Sequence, residues 1–170
     1  LNAIADVAAL SAEDVVLEIG MGNGALTEVL AQKAGKVISV EIDHKRFEEV
    51  APRLRSRFPV LQCVEGDFLQ LAPALWKSFT RPVKLVANIP YNVTTPIIES
   101  CIEHCDKLER AVLMVQKEVA ERMQAGAGAD AYGSLSLYIQ YHMDVSIEVQ
   151  VPRTCFQPVP NVDSAVIKLI

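Results

Sequence analysis

EIGMGNGA, residues 18–25, is the stretch on which the reading of this chain turns. It follows a short β-branched run, VVLEI (15–19), and leads into ALTEVLAQKA (25–34), whose apolar residues recur three and four apart as on one face of a helix. A strand that passes through a glycine-rich turn into a helix is the opening unit of many nucleotide-binding α/β sheets. Gly20, Gly22 and Gly24 let the backbone turn tightly and approach a ligand that a side chain would block. With Ala25 as the last position the stretch also fits G-x-G-x-x-A, so a dinucleotide is one candidate ligand. A tight turn with no ligand is the plain alternative.

Outward from this loop the chain alternates β-rich apolar runs with helical patterns, which predicts a sheet with crossover helices. The strand candidates are VVLEI (15–19), VISVE (37–41), VLQCVE (60–65), KLVAN (84–88) and AVLMVQ (111–116). Between them ALTEVLAQKA, HKRFEEVAPRL, ALWKSF and TPIIESCIEHC read as helices, and Thr95 before Pro96 reads as an N-cap with proline at the first helical position. Beyond Gln116 the pattern changes. KEVAERMQA is helical, AGAGADAYG is a small-residue loop expected to move, and SLSLYIQYHM is a further helix. Two alternating runs, DVSIEVQV and DSAVIKLI, flank RTCFQPVPNV and predict an antiparallel addition to a parallel sheet.

Composition sets bounds on function. At 170 residues and 51% hydrophobic, the chain can bury a good core as one domain, and its net charge of −5 gives no general signal for nucleic acid. Any such affinity must come from local patches or from parts beyond this chain. No run of about 18 apolar residues is present, so no membrane partner is expected. LNAIADVAAL carries Asp6 and lacks a basic leader, so it reads as a helix and not as a signal peptide. The cysteines at 63, 101, 105 and 155 form no C-x-x-C pair. Cys101, His104 and Cys105 share a helical face, but three ligands without a second pair do not make a zinc site, and reduced thiols in a cytosolic protein are the simpler expectation.

Two further acids fall in register with the glycine loop. Glu41 ends the second strand, 21 residues after Gly20, where a carboxylate can accept two hydrogen bonds from ribose hydroxyls. Asp67 ends the third, where it can accept from an adenine amino group, with Phe68 beside it as either a ring face for the base or a core aromatic. Together these describe an adenosine pocket at the carboxyl edge of the sheet. Neither a P-loop nor a second mononucleotide unit asks for a pyrophosphate, which favours S-adenosylmethionine over NAD.

The fourth strand ends on NIPYN (88–92). The side-chain oxygen of Asn88 and the carbonyl of Ile89 can each accept from an exocyclic NH2. Pro90 fixes the backbone so that both point one way, and Tyr91 offers a ring for stacking, worth roughly 1–3 kcal/mol per base. An adenine N6 lone pair is delocalised into its ring. Two acceptors on its hydrogens favour a pyramidal nitrogen aimed at a methyl sulfonium, and alignment of this kind can supply roughly 7–11 kcal/mol. A capping Asn and a half-buried Tyr are the structural alternative.

EIGMGNGALTEVL, the Glu41 strand end, Asp67–Phe68, NIPYNVTTP, QKEVAERM, AYGSLS and FQPVPNVDSAVIKL together resemble the KsgA-type ribosomal RNA adenine N6-dimethyltransferases, over nearly the whole chain. The resemblance implies a Rossmann-like class I methyltransferase fold. Its features are a mainly parallel seven-stranded sheet, an antiparallel C-terminal strand, and helices on both faces. It implies S-adenosylmethionine as methyl donor, held by Gly20, Gly22, Glu41, Ile42, Asp67, Phe68 and Asn88, and a target adenine held by Asn88, Pro90, Tyr91 and Phe156. No metal is implied. Read from the residues alone, Phe156 before Pro158 and Pro160 is a rigidly presented aromatic, in the core or at the site. The implied partner is small-subunit ribosomal RNA in an immature small subunit, met by a cytoplasmic monomer (nucleolar or mitochondrial in a eukaryote). The family's N-terminal Gln-x-Phe-Leu lid and its helical, RNA-engaging C-terminal domain are expected outside residues 1–170, and Ile89 stands where the family usually has leucine.

Three other readings stand beside this one. A large-subunit enzyme of the antibiotic-resistance type is disfavoured by QKEVAERM and AYGSLS, and a ribosome-assembly or transcription factor by the intact Asn88, Pro90 and Tyr91. An NAD dehydrogenase lacks an evident catalytic His or Tyr–Lys pair. Of the basic residues, Lys45, Arg46, Arg53, Arg55 and Arg57 read as a solvated helix face. Lys117, Arg122 and Arg153 flank the segments carrying Tyr91 and Phe156 and read as phosphate contacts.

Overall fold

Near-continuous apolar strands must be covered on both faces, and this chain covers them with two layers of helices. A computed structural model describes residues 2–89 and 93–170. Among these, seven strands form one sheet: β1 (Val15–Ile19), β2 (Lys36–Glu41), β3 (Leu61–Glu65), β4 (Val83–Asn88), β5 (Leu108–Gln116), β6 (Val145–Val151) and β7 (Ser164–Leu169), in the order β3-β2-β1-β4-β5-β7-β6. The pairings among β1 to β5 are parallel, and β7 runs antiparallel to both neighbours. The last strand of the chain is therefore the one reversed strand, inserted between β5 and β6.

Strand parity sorts the core into two layers. Leu17, Ile19, Leu85, Ala87, Leu113 and Val115 point to the layer filled by α4 (Phe68–Ser78), α5 (Thr94–Glu103), α6 (Lys117–Gln124) and α7 (Ser134–His142). Val16, Val86, Val112 and Met114 point to the opposite layer, filled by α1 (Asn2–Val7), α2 (Ala25–Lys33) and α3 (His44–Arg57). Trp76 anchors the first layer. It is fully buried, its indole N–H donates to Ser100 Oγ at 3.0 Å, and its ring stacks on His104 with centroids 5.3 Å apart.

Two local expectations are corrected. Thr95 is not an N-cap: α5 begins at Thr94 with Val93 as its cap residue, so Pro96 falls at the third helical position, where its missing N–H is still no loss. The fourth helix begins six residues before ALWKSF, because Asp67 accepts from the Leu69 N–H at 2.9 Å and starts it at Phe68.

Candidate functional site

The parallel registers bring the ends of four strands to one edge. Ile19 pairs with Val40 and Ala87, Glu41 with Glu65, and Asn88 with Met114, so the glycine loop, Glu41, Asp67 and Asn88 leave the sheet side by side. Gly20, Gly22 and Gly24 all have positive φ, at 82°, 56° and 85°. The Gly20 N–H extends the ladder to Val40 O at 2.8 Å, and a Cβ on Gly20 would lie 3.8 Å from the Asn88 carbonyl oxygen. The first turn of the loop thus runs against the end of β4, which joins the loop to the Asn88 stretch as one surface.

Glu41 holds this edge together. Although it is only 5% exposed, it ion-pairs with no cation among the described residues. Its Oε2 accepts from the Gly22 N–H at 2.8 Å and its Oε1 from the Asp43 N–H at 2.9 Å. One carboxylate therefore pins the glycine loop to the entry of α3, whose own cap is Asp43 accepting from Arg46 N–H at 3.1 Å. Each carboxylate oxygen has a second lone-pair direction available for a ligand hydroxyl. Ile42, beside it, is 69% exposed, an apolar surface in the open at the same edge. Asp67 commits Oδ1 to the α4 cap.

Phe68 is buried in the core layer of α4 at 4% exposure, leaving little ring for a ligand. Phe156 is half-buried and packs against the layer containing Met21, Val86 and Met114. Asn88 is exposed, and strand parity puts it on that same layer's side. The buried Ile89 ends the described part of this stretch. Pro90 and Tyr91 lie outside the described residues.

Glu18 is a site-edge residue that no sequence motif singles out. It is completely buried beneath the glycine loop; Oε2 accepts from Thr27 Oγ at 2.7 Å and Ser39 Oγ at 2.5 Å, while Oε1 has no hydrogen-bond partner. Burial, with a smaller contribution from the Glu41 charge, pushes its carboxyl from 4.5 up to about 7; the two hydroxyls oppose this. The signal in the sequence is a lone acid near the end of an otherwise apolar strand, with Thr27 and Ser39 on its neighbours. Because the folded state binds this proton more tightly than the unfolded chain, folding stability contributed by Glu18 is full below pH 4.5, falls as pH rises, and is lost above about 7. At 1.36 kcal/mol per unit this amounts to about 3 kcal/mol. Urea midpoints measured from pH 5 to 8 should show the decline in the wild type and a flatter profile in Glu18→Gln. An equal slope in both would refute the assignment.

The basic residues divide as expected for the first group. Arg53 and Arg57 both meet Glu28, at 2.6 and 3.1 Å, and Arg46 lies 3.7 Å from Asp43 on an exposed face. In the second group, Lys117 and Arg153 line one cavity, while Arg122 does not. Among the described residues no cluster of three or more potential ligands is placed for a metal. Cys101 is buried, its thiol pushed up to about 12, and His104 is stacked on Trp76.

A sheet of order 3-2-1-4-5-7-6 with its seventh strand reversed and a glycine loop after the first defines a Rossmann-like class I methyltransferase fold. Within that class, the chain belongs to the family described as ribosomal RNA adenine dimethylase, whose sequence profile matches residues 1–170. All of the chain is similar to a Streptococcus pneumoniae protein named Ribosomal RNA small subunit methyltransferase A, at 43% identity over 174 residues, and it spans 60% of that relative's length. Of solved structures, a dimethyladenosine transferase from Plasmodium falciparum matches 99% of the chain and 60% of its own, at 37% identity and a TM-score of 0.85. The 23S rRNA methyltransferase ErmE matches 98% of the chain and 64% of its own, at 32% identity with the same TM-score.

Proposed function

We propose that this chain is the catalytic domain of an S-adenosylmethionine-dependent enzyme that dimethylates N6 of adjacent adenosines in small-subunit ribosomal RNA, acting as a cytoplasmic monomer on immature subunits. One observation carries the reading: the glycine loop, Glu41, Asp67 and Asn88 converge on one sheet edge, with Gly20 lying against the Asn88 carbonyl. The donor fits this edge. Gly20 and Gly22 add no side chain at this edge, Glu41 has lone pairs for the ribose hydroxyls, Ile42 offers an apolar face, and Asp67 retains Oδ2 for the adenine amine. When bound, S-adenosylmethionine supplies an electrophilic methyl group.

The chain's own residues then handle the target. The Asn88 side-chain oxygen and the Ile89 carbonyl accept from the adenine amine, favouring a pyramidal nitrogen with its lone pair directed at the methyl. Tyr91 and Phe156 hold the base, which must leave its helix to reach the edge. No strong base is required, because the amine becomes acidic only as it gains the methyl.

With a TM-score of 0.85 to the 23S rRNA methyltransferase ErmE, the backbone alone does not choose the ribosomal subunit. The small subunit is favoured by the 43% identity to the Streptococcus relative and by QKEVAERM and AYGSLS. Full-length protein given labelled donor and a mixture of both immature subunits should label the small one; label confined to the large one would overturn the assignment. Calorimetry should show binding of S-adenosylhomocysteine and none of NAD, the reverse result excluding the donor. Neutralising Lys117 and Arg122 in the full-length enzyme should lower RNA affinity and reduce the log–log salt slope by about one unit for each phosphate no longer engaged. An unchanged slope would remove both residues from the RNA interface.

A further inference from the structure

A cavity of about 460 Å³ lies at the same sheet edge between the start of α6 and the 153–163 segment, within the roughly 300–1,000 Å³ range of small-ligand sites. It stands on the far side of Asn88 from Glu41 and Asp67. Those acids belong to the ends of β2 and β3, whereas Gln116, in the cavity wall, ends β5 next to β4. Asn88 pairs with Met114, so Gln116 is two residues further along the neighbouring strand, and strand spacing and rise put the two backbone positions about 8 Å apart. That span is covered by one phosphodiester linkage.

The walls are tied together. The Lys117 N–H donates to Asp163 O at 3.0 Å, the Arg153 N–H donates to Asp163 Oδ1 at 2.9 Å, and the Arg153 guanidinium reaches Asn161 O at 3.3 Å. The lining mixes signs. Lys117 and Arg153 offer cationic donors and Glu118 and Glu121 carboxylate acceptors, with Lys117 Nζ loosely paired to Glu121 Oε1 at 3.8 Å, and Val162 adds an apolar, 42% exposed surface. A bare phosphate would meet the carboxylates as well as the cations. A nucleotide satisfies both sets, with its phosphate on the cations and its ribose hydroxyls or base N–H groups on the acids.

We infer that this cavity holds the nucleotide next to the target adenosine on the same RNA strand. It acts as a register pocket that holds the strand while each target base in turn is presented at Asn88. The inference rests on the proposed function, because it takes Asn88 as the position of the target base.

The test uses the full-length protein with S-adenosylhomocysteine present and two probes, adenosine monophosphate and the dinucleotide adenylyl-adenosine, titrated by NMR. The wild type should bind the dinucleotide about tenfold or more tightly than the mononucleotide, the effect of one hydrogen bond to a charged group. Val162→Trp, which fills the cavity from an exposed loop position, should abolish that advantage while leaving mononucleotide and S-adenosylhomocysteine affinity unchanged. Glu118→Gln, at an exposed site, should reduce it. Equal binding of the two probes by the wild type, or an advantage that survives Val162→Trp, would overturn the register pocket. Methylation of small subunits by the same wild-type preparation separates the two failures: an active enzyme with no dinucleotide advantage loses only this inference, whereas an enzyme without adenine methylation loses the proposed function as well.

Discussion

Replacing Asn88 with alanine is expected to lower single-turnover methylation on the order of 10²–10³-fold, the loss seen when one preorganised hydrogen-bonding group is removed from a transition state. The bond in question strengthens only as the adenine amine pyramidalises, so RNA affinity should be nearly unchanged and the defect should fall in kcat. The fold should tolerate the change, since Asn88 is exposed at the last position of β4 and the layers beneath it are filled by Val86, Ala87 and Ile89. Tyr91→Ala should behave differently, weakening productive RNA binding together with turnover through loss of stacking, while Tyr91→Phe keeps the ring and stays active. Near-normal methylation by Asn88→Ala would return the strand-end amide to a turn residue.

Glu41→Ala is expected to lower affinity for S-adenosylhomocysteine on the order of a thousandfold. Two ribose hydrogen bonds to a charged acceptor account for roughly 3–6 kcal/mol between them. The same substitution frees the Gly22 and Asp43 N–H groups that the carboxylate now holds at 2.8 and 2.9 Å, so the loop loses its preset shape as well. Glu41→Gln separates the two roles. Its amide oxygen can keep one backbone bond but not two, and the affinity loss should be intermediate. Calorimetry on both variants, with circular dichroism to confirm folding, reads this out. An Ala variant that binds the ligand like wild type would remove Glu41 from the site.

What is legible in the sequence is what short-range physics dictates. The EIGMGNGA turn announces itself because positive φ at three alternate positions demands glycine, and the strand ends follow from apolar runs that stop at Glu41 and Asn88. Strand order is less accessible. Nothing local in DSAVIKLI says that it inserts between β5 and β6, since that choice is made by long-range burial. Phe68 and Phe156 illustrate the same limit: an aromatic beside a site looks alike whether it faces a ligand or the core, and the helix starting at Phe68 settles the first as buried. The Asp67 cap is readable from D-F-L-Q, and treating that acid as a ligand group alone displaces the start of α4. Glu18 escapes because its meaning lies in Thr27 and Ser39, 9 and 21 residues away, which no spacing rule connects. The dual attachment of Glu41 to both loop and helix is likewise a product of packing.

On the proposed function, one sheet edge holds the methyl donor over β1 to β3 and the target adenine amine at the end of β4, and the identity of the product tests that arrangement. Small-subunit RNA methylated by the full-length enzyme with labelled donor should be digested to nucleosides and resolved by mass spectrometry, with the modified positions mapped in the RNA. The expected product is N6,N6-dimethyladenosine at two adjacent positions, formed far more slowly at both by Asn88→Ala. Label on a ring nitrogen, on a ribose hydroxyl or on a base other than adenine would contradict it.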